Sequence, residues 1–239
     1  MKKTIKLVAT ASLILFSATF CMAQDLVRFY ENAKVGYKDQ SGNVVVPAKY
    51  EAGSEFFEGM ALVLQNHLRG FINNKGEVAI RFIYSDASVF KGGLARVAKG
   101  SKNGYINQKG ETIIPFDYQF ADDFINGIAR VEKDGKWGFI DKNAKEVIAL
   151  KYENARNYSD GVAAVKLGNW GFIDGAGKVV IPMQFEDAQL FNSGQALVRK
   201  DNKSYYINKQ GKWVKDLENP EAQEMKEMKE RQQQAPAHK

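Results

Sequence analysis

His67 and His238 are the two histidines of this chain and Cys21 is its one cysteine, so a Ser-His-Asp or Cys-His mechanism would have to be built from them. His67 lies where other segments carry turn glycines such as Gly100 and Gly135, which makes it a turn residue, and His238 is the last residue but one. Carboxylates are plentiful. Asp122-Asp123, Glu186-Asp187 and Asp160 are candidates for glycoside hydrolysis, which needs two carboxyls about 5–9 Å apart. Adjacency in sequence does not set that spacing, and among 28 acidic residues chance neighbours are expected. Gly92-Gly93 and Gly175-Ala176-Gly177 do not open a long helix as a phosphate-binding loop does. No catalytic residue and no cofactor is assigned.

A metal reading rests on Asp39, Asn73, Asn107, Asp141, Asp174 and Asn208, which recur at one place in the pattern. A calcium loop requires several closely spaced oxygen ligands. One carboxylate per turn, replaced by Asn in half the copies, does not supply them, and no metal site is assigned. Trp137, Trp170 and Trp213 are weak ligand-binding candidates: an exposed indole face stacks on a sugar ring, whereas the same residue at a fixed inward phase is core.

These residues belong to a period. Glycine falls at 36, 70, 104, 138 and 171, with Tyr205 at the next step. In the unit around Lys136-Trp-Gly-Phe-Ile-Asp141, Ala129 and Val131, then Trp137 and Phe139, alternate with polar residues, the period of a strand with one buried face. Asp134-Gly135 between them suits a tight hairpin. A second turn, opened by Asp or Asn and closed three residues later by Gly (Ala144 in one copy), leads to a third strand. The connector then carries an aromatic, a small residue and an aromatic at steps of three, as in Tyr118, Ala121 and Phe124, which predicts a short helical turn. Each connector ends at glycine (59, 93, 127, 161, 194), followed by an inward Ala and Val.

A period of 34 also describes helical repeats. Two or three glycines per unit and runs such as Val179-Val-Ile181 exclude helices as the main element. The expected fold is therefore all-β: a tandem array of about six three-stranded antiparallel meanders with helical-turn connectors. Self-contained ends favour an open twisted stack, with a closed propeller-like ring as the alternative.

Lys2 and Lys3 precede an apolar run from Ile5 to Phe20, and Cys21-Met-Ala23 offers small residues before a cut after Ala23, the pattern of a secretory signal peptide. The domains are thus 1–23 signal, 24–214 β array and 215–239 a polar tail, with no membrane span after cleavage. Loss of the leader removes Cys21 and three lysines, leaving 31 basic against 28 acidic residues. The charges interleave, which argues against a nucleic-acid surface.

The pattern Trp-Gly-Phe-Ile-Asp at 137–141 and 170–174, with the Tyr/Phe-x-x-Ala-x-x-aromatic connectors and the Gly-x-Ala-x-Val that follows, resembles the WG (KWG) repeat family over residues 33–214. Val35, Arg69 and Asn103 stand at the Trp place, Arg81 and Ala149 at the Pro place, and Tyr205 at the Gly place of the last copy. The resemblance implies a repeat module of exported or envelope-associated bacterial proteins, and brings no catalytic residues. The functional expectation is a non-catalytic module that binds an envelope protein or a glycan in the periplasm, on the outer surface or outside the cell. Its alternative is a carbohydrate-active enzyme using a pair of acidic residues. Intact mass of protein from the native host should correspond to a chain starting at Gln24; retention of Met1 in a cytoplasmic fraction would refute export.

Overall fold

The computed structural model describes residues 26–217, so the leader and the tail beyond Leu217 lie outside the described residues. Among the described residues there are 23 strands and no helix, arranged in six antiparallel sheets in chain order. Sheet 1 has three strands over 27–50. Sheets 2 to 6 have four each and occupy 52–84, 86–118, 120–152, 154–185 and 187–216. The last strand, Trp213–Asp216, runs two residues past the boundary read from sequence.

The connectors correct one expectation. They are not helical: each starts with a two-residue strand, as in Phe120–Ala121, which pairs with Glu132 and Val131 and gives the meander a fourth strand. Each ends in a tight reversal, as at Ile125↔Ile128, where Asn126 and Gly127 have φ of 51° and 81°. The spacing of three has another cause. Tyr118, Ala121 and Phe124 all enter one apolar cluster as the chain crosses from sheet 3 to sheet 4.

The turn chemistry read from sequence is present. In all six second turns the Asp or Asn side-chain oxygen accepts the backbone N–H groups two and four residues on. The closing glycines have positive φ, and Ala144 accepts φ of 62° in the exceptional copy.

The aligned glycines of the Trp-Gly step answer a different demand. In sheet 4 the register passes from Trp137↔Tyr152 to Phe139↔Ile148, so three residues of the outer strand bulge opposite Gly138 alone. A Cβ on Gly138 would stand 2.6 Å from the Ile148 carbonyl oxygen and 2.9 Å from Ala149 backbone. Gly36, Gly70, Gly104 and Gly171 face the carbonyls of Val46, Ile80, Ile114 and Ile181 at 2.6–2.7 Å. Pro47, Pro115 and Pro182 occupy the bulge, where a missing N–H costs no ladder bond.

The core lies between sheets. Among the described residues five apolar clusters each join one sheet to the next, and none joins sheet 6 to sheet 1, as in an open array. One face of a hairpin contributes Ala61, Ala95, Ala129, Ala163 or Ala196, all buried, and so lets the preceding sheet approach closely. Across every seam an aromatic of the second long strand meets a connector aromatic: Tyr37–Phe56, Phe71–Phe90, Tyr105–Phe124, Phe139–Tyr158 and Phe172–Phe191, with ring centroids 4.7–5.3 Å apart.

Two glycine substitutions should separate the two demands in chemical denaturation. A Cβ on Gly127 meets no atom within 4 Å, so Gly127→Val should cost roughly 1–2 kcal/mol chiefly through its positive φ. Gly138→Ala, which drives a methyl into backbone, should cost about 2–3 kcal/mol or more. Equal stability of either variant and wild type would remove the corresponding constraint.

Candidate functional site

The residue between the inward Ala and Val of the first long strand is Arg96 in sheet 3 and Arg130 in sheet 4, and Arg28, between Val27 and Phe29, holds the same register place in sheet 1. Alternation turns it to the opposite face, beside the aromatic of the next strand: Arg130 lies opposite Phe139, whose ring belongs to the following seam. A guanidinium here is placed to reach the next sheet.

Each of the five seams is crossed by one. Arg28 donates to the Gly53 carbonyl at 2.6 Å and pairs with Glu55 at 3.2 Å. Arg69, at the Trp place of sheet 2, donates to the Ser85 carbonyl and pairs with Asp86 at 3.4 Å. Arg96 holds Asp86 at 2.9 Å and faces Asp123 of sheet 4 at 3.9 Å. Arg130 donates to Asp122 at 2.8 Å and to the Ala155 carbonyl of sheet 5 at 2.6 Å. Arg156 reaches Asp187 of sheet 6 at 3.0 Å. Five arginines and five carboxylates thus form a stair along the array, charge against charge. Planar, multidentate guanidinium suits this role better than a lysine would.

The stair decides where the tryptophans stand. Trp137 is half-buried, and the Arg130 guanidinium lies 5.0 Å from its ring and 5.0 Å from that of Phe120. Trp170 is 7% exposed beneath Arg156 at 5.1 Å. Only Trp213 of the three is open, 61% exposed on an edge strand, with its indole N–H donated to Asp216. The acidic neighbours are also engaged: Asp122 and Asp187 in the stair, Glu186 with Arg199 at 3.1 Å, and Asp160 on the Gly194 N–H. His67 sits in a hairpin turn with its side chain 96% exposed, near Glu51 at 3.7 Å. Among the described residues no group of three or more His, Cys, Asp and Glu is placed to hold a metal ion, and no helix is long and apolar enough to cross a membrane.

Sequence reasoning missed the stair, because its arginines come from three different places in the repeat. It also missed three cavities between sheets. One of about 440 Å³ lies between Arg96, Asn103 and Asp122, and one of about 400 Å³ between Arg130, Arg156 and Gln189. The third, about 280 Å³ and mainly apolar, lies between sheets 4 and 5 against Phe139 and Tyr158. Charged walls, open amides and a ring face suit these hollows to holding a polar group of a ligand.

The family pattern described as WG containing repeat matches residues 36–67, 70–102, 104–137, 137–169 and 170–203. No curated protein sequence matches the chain. Among solved structures, one described as a eukaryotic initiation factor is similar at 11% identity and a TM-score of 0.51, over 82% of this chain and 62% of that one. Kluyveromyces lactis Hsv2 is similar at 9% identity and a TM-score of 0.45, over 78% of this chain and 72% of that one. At such identities the likeness concerns the fold alone.

Tyrosine hydroxyls stitch two of the same seams, from Tyr37 and Tyr105, and that of Tyr158 bonds within sheet 5. Tyr37 donates to the Ser54 carbonyl at 2.9 Å, Tyr105 to that of Asp122 at 2.5 Å and Tyr158 to that of Asp174 at 2.9 Å. Burial raises all three above the usual tyrosine range, Tyr158 to about 12. Burial likewise raises Tyr50, Tyr84 and Tyr118. A raised folded value means the unfolded chain ionises first, so their contribution is complete below pH ~10 and is lost as pH climbs from there. Alkaline titration should show unfolding and tyrosinate absorbance rising together above pH ~10. A smooth, independent titration near pH 10 with the fold intact would contradict the burial.

Proposed function

The chain belongs to the WG-repeat family, and from that premise we propose that it is a non-catalytic binding or scaffolding module of the bacterial cell envelope, with an envelope protein or glycan as partner. The observation that carries this reading is the recurrence of exposed apolar residues at one place in successive sheets. Val44 and Val45, Val78, Ile113, and Val179 and Val180 are 38–57% exposed at the start of the outermost strand of sheets 1, 2, 3 and 5. A single exposed valine needs no explanation, but the same patch repeated along an array offers a partner several equivalent footholds. The outer strands also keep one edge unpaired within their sheets. Trp213 adds an open ring at the far end.

Binding spread over units weakens stepwise as units are removed, because each contributes its own share of contact. The test is a pull-down from envelope extract together with a glycan array, followed by Val44→Ser, Val78→Ser, Val179→Ser and Trp213→Ala singly and combined. Each single change should lower affinity a few-fold and the combination by ~100-fold or more, if each removes about 1 kcal/mol of contact. Turnover of a glycan or peptide, abolished by one Asp or Glu substitution, would replace this reading with that of a carbohydrate-active or related enzyme.

A further inference from the structure

In the second turn of each sheet one residue directly follows the opening Asp or Asn. In three turns that residue is a strut. Gln108 of sheet 3 donates its amide to the Glu58 carbonyl at 2.9 Å. Lys142 of sheet 4 donates its ammonium to the Gly92 carbonyl, and Lys209 of sheet 6 to the Asp160 carbonyl. Those acceptors are the same residue of successive connector turns. The corresponding pair between sheets 4 and 5 is Gly175 and Asn126, and glycine has no side chain to cross the gap.

The gap is real space. A Cβ built on Gly175 meets no atom within 4 Å, its φ is not left-handed, and the cavity of about 280 Å³ opens between it and Asn126. A second closing device is missing at the same seam. Glu58 accepts the Gly92 and Gly93 N–H groups between sheets 2 and 3, and Asp160 accepts the Gly194 N–H between sheets 5 and 6. Asn126 holds that place between sheets 4 and 5, and neither its side chain nor that of Asn157 on the cavity wall makes a hydrogen bond among the described residues. Asp123, also on the wall, has a buried Oδ1 that makes no hydrogen bond and has the Arg96 Nε of sheet 3 at 3.9 Å.

We propose that this vacated slot is a binding site for a primary ammonium on an unbranched alkyl chain, the chemistry of a lysine side chain. The chain's own fold states the preference, since two of the three filled slots hold lysine with its ammonium on the same turn carbonyl. The ammonium would lie on the Asn126 carbonyl with the Asp123 carboxylate on the same wall. Its methylenes would run along Ile125, Ile128 and the Tyr158 ring, an amphipathic lining that suits a lysine stem. Arg130 is the basic residue of the wall, and its guanidinium is already committed to Asp122 and the Ala155 carbonyl. The volume is just under the ~300–1,000 Å³ of ligand pockets, the scale of one side chain. The site rests on the binding-module reading and names how a protein partner is gripped; a free diamine shares the chemistry.

The test uses the full chain with three probes: acetyl-Gly-Lys-Gly-amide, its norleucine counterpart and 1,5-diaminopentane, titrated by calorimetry or amide chemical shifts. The lysine peptide should bind at least ten-fold more tightly than the norleucine peptide, with shifts at Asn126 and Gly161. Gly175→Lys, which restores the strut, should abolish that preference without lowering the thermal midpoint. Asp123→Asn should reduce the preference several-fold and leave the norleucine peptide unchanged, a readout independent of whether the lysine variant folds. A diamine matching the peptide supports the slot with a free amine as its source, and a tighter peptide supports a protein lysine. No lysine preference in wild type, or a preference that persists in folded Gly175→Lys, or one unaltered in Asp123→Asn, overturns the site. Capture of an envelope partner that persists in that event keeps the broader module reading and moves the contact elsewhere; failure of capture with the lysine preference intact discards only the envelope partner.

Discussion

The array depends on a backbone-to-backbone approach. In each of five sheets the outer strand bulges and sets a carbonyl oxygen 2.6–2.7 Å from where a side chain would begin on the facing strand. Only a residue without a Cβ can stand there. The bulge in turn bends the outer strand so that its last aromatic, Tyr50, Tyr84, Tyr118, Tyr152 or Phe185, is buried in the seam with the next sheet. One steric requirement thus sets the period, the register and the direction in which the next unit is built.

The seams then carry the stability. Small three- or four-stranded sheets cannot bury enough apolar surface alone, so each must share its faces with neighbours. Alanine on one face and paired aromatics on the other make that sharing close. The arginine stair adds polar specificity at the margin of the same seams. Its pairs are partly solvated, Arg130 and Asp122 being 17% and 24% exposed at their side chains, so their value lies more in orientation than in energy.

The aromatic spacing of the connectors illustrates where pattern reading goes astray. Steps of three fit one side of a helical turn, yet they also fit a chain that leaves one sheet, adds two residues to the edge of the next and turns back. Local sequence does not separate these, because the distinction lies in the partner strand: Ala121 is a strand residue only because Val131 lies opposite. The same holds for the tryptophans. Trp137 and Trp170 occupy the same place and lie under Arg130 and Arg156, whereas Trp213 begins the outermost strand of sheet 6, an edge position that leaves its ring open.

By itself the sequence determined the family pattern, the all-β class, the number of units, the hairpins and the Asx-opened turns, since these follow from glycine, aspartate and alternating apolar residues within about ten positions of one another. The tertiary structure alone decided which groups meet across a seam. Arg130 and Ala155 are 25 residues apart, and the strut from Lys142 to Gly92 spans 50. Gly175 reads in sequence as one more turn glycine. That it leaves a cavity is visible only when three neighbouring seams are seen to be bridged at that place, because an unfilled volume is a property of two sheets in contact and of neither alone.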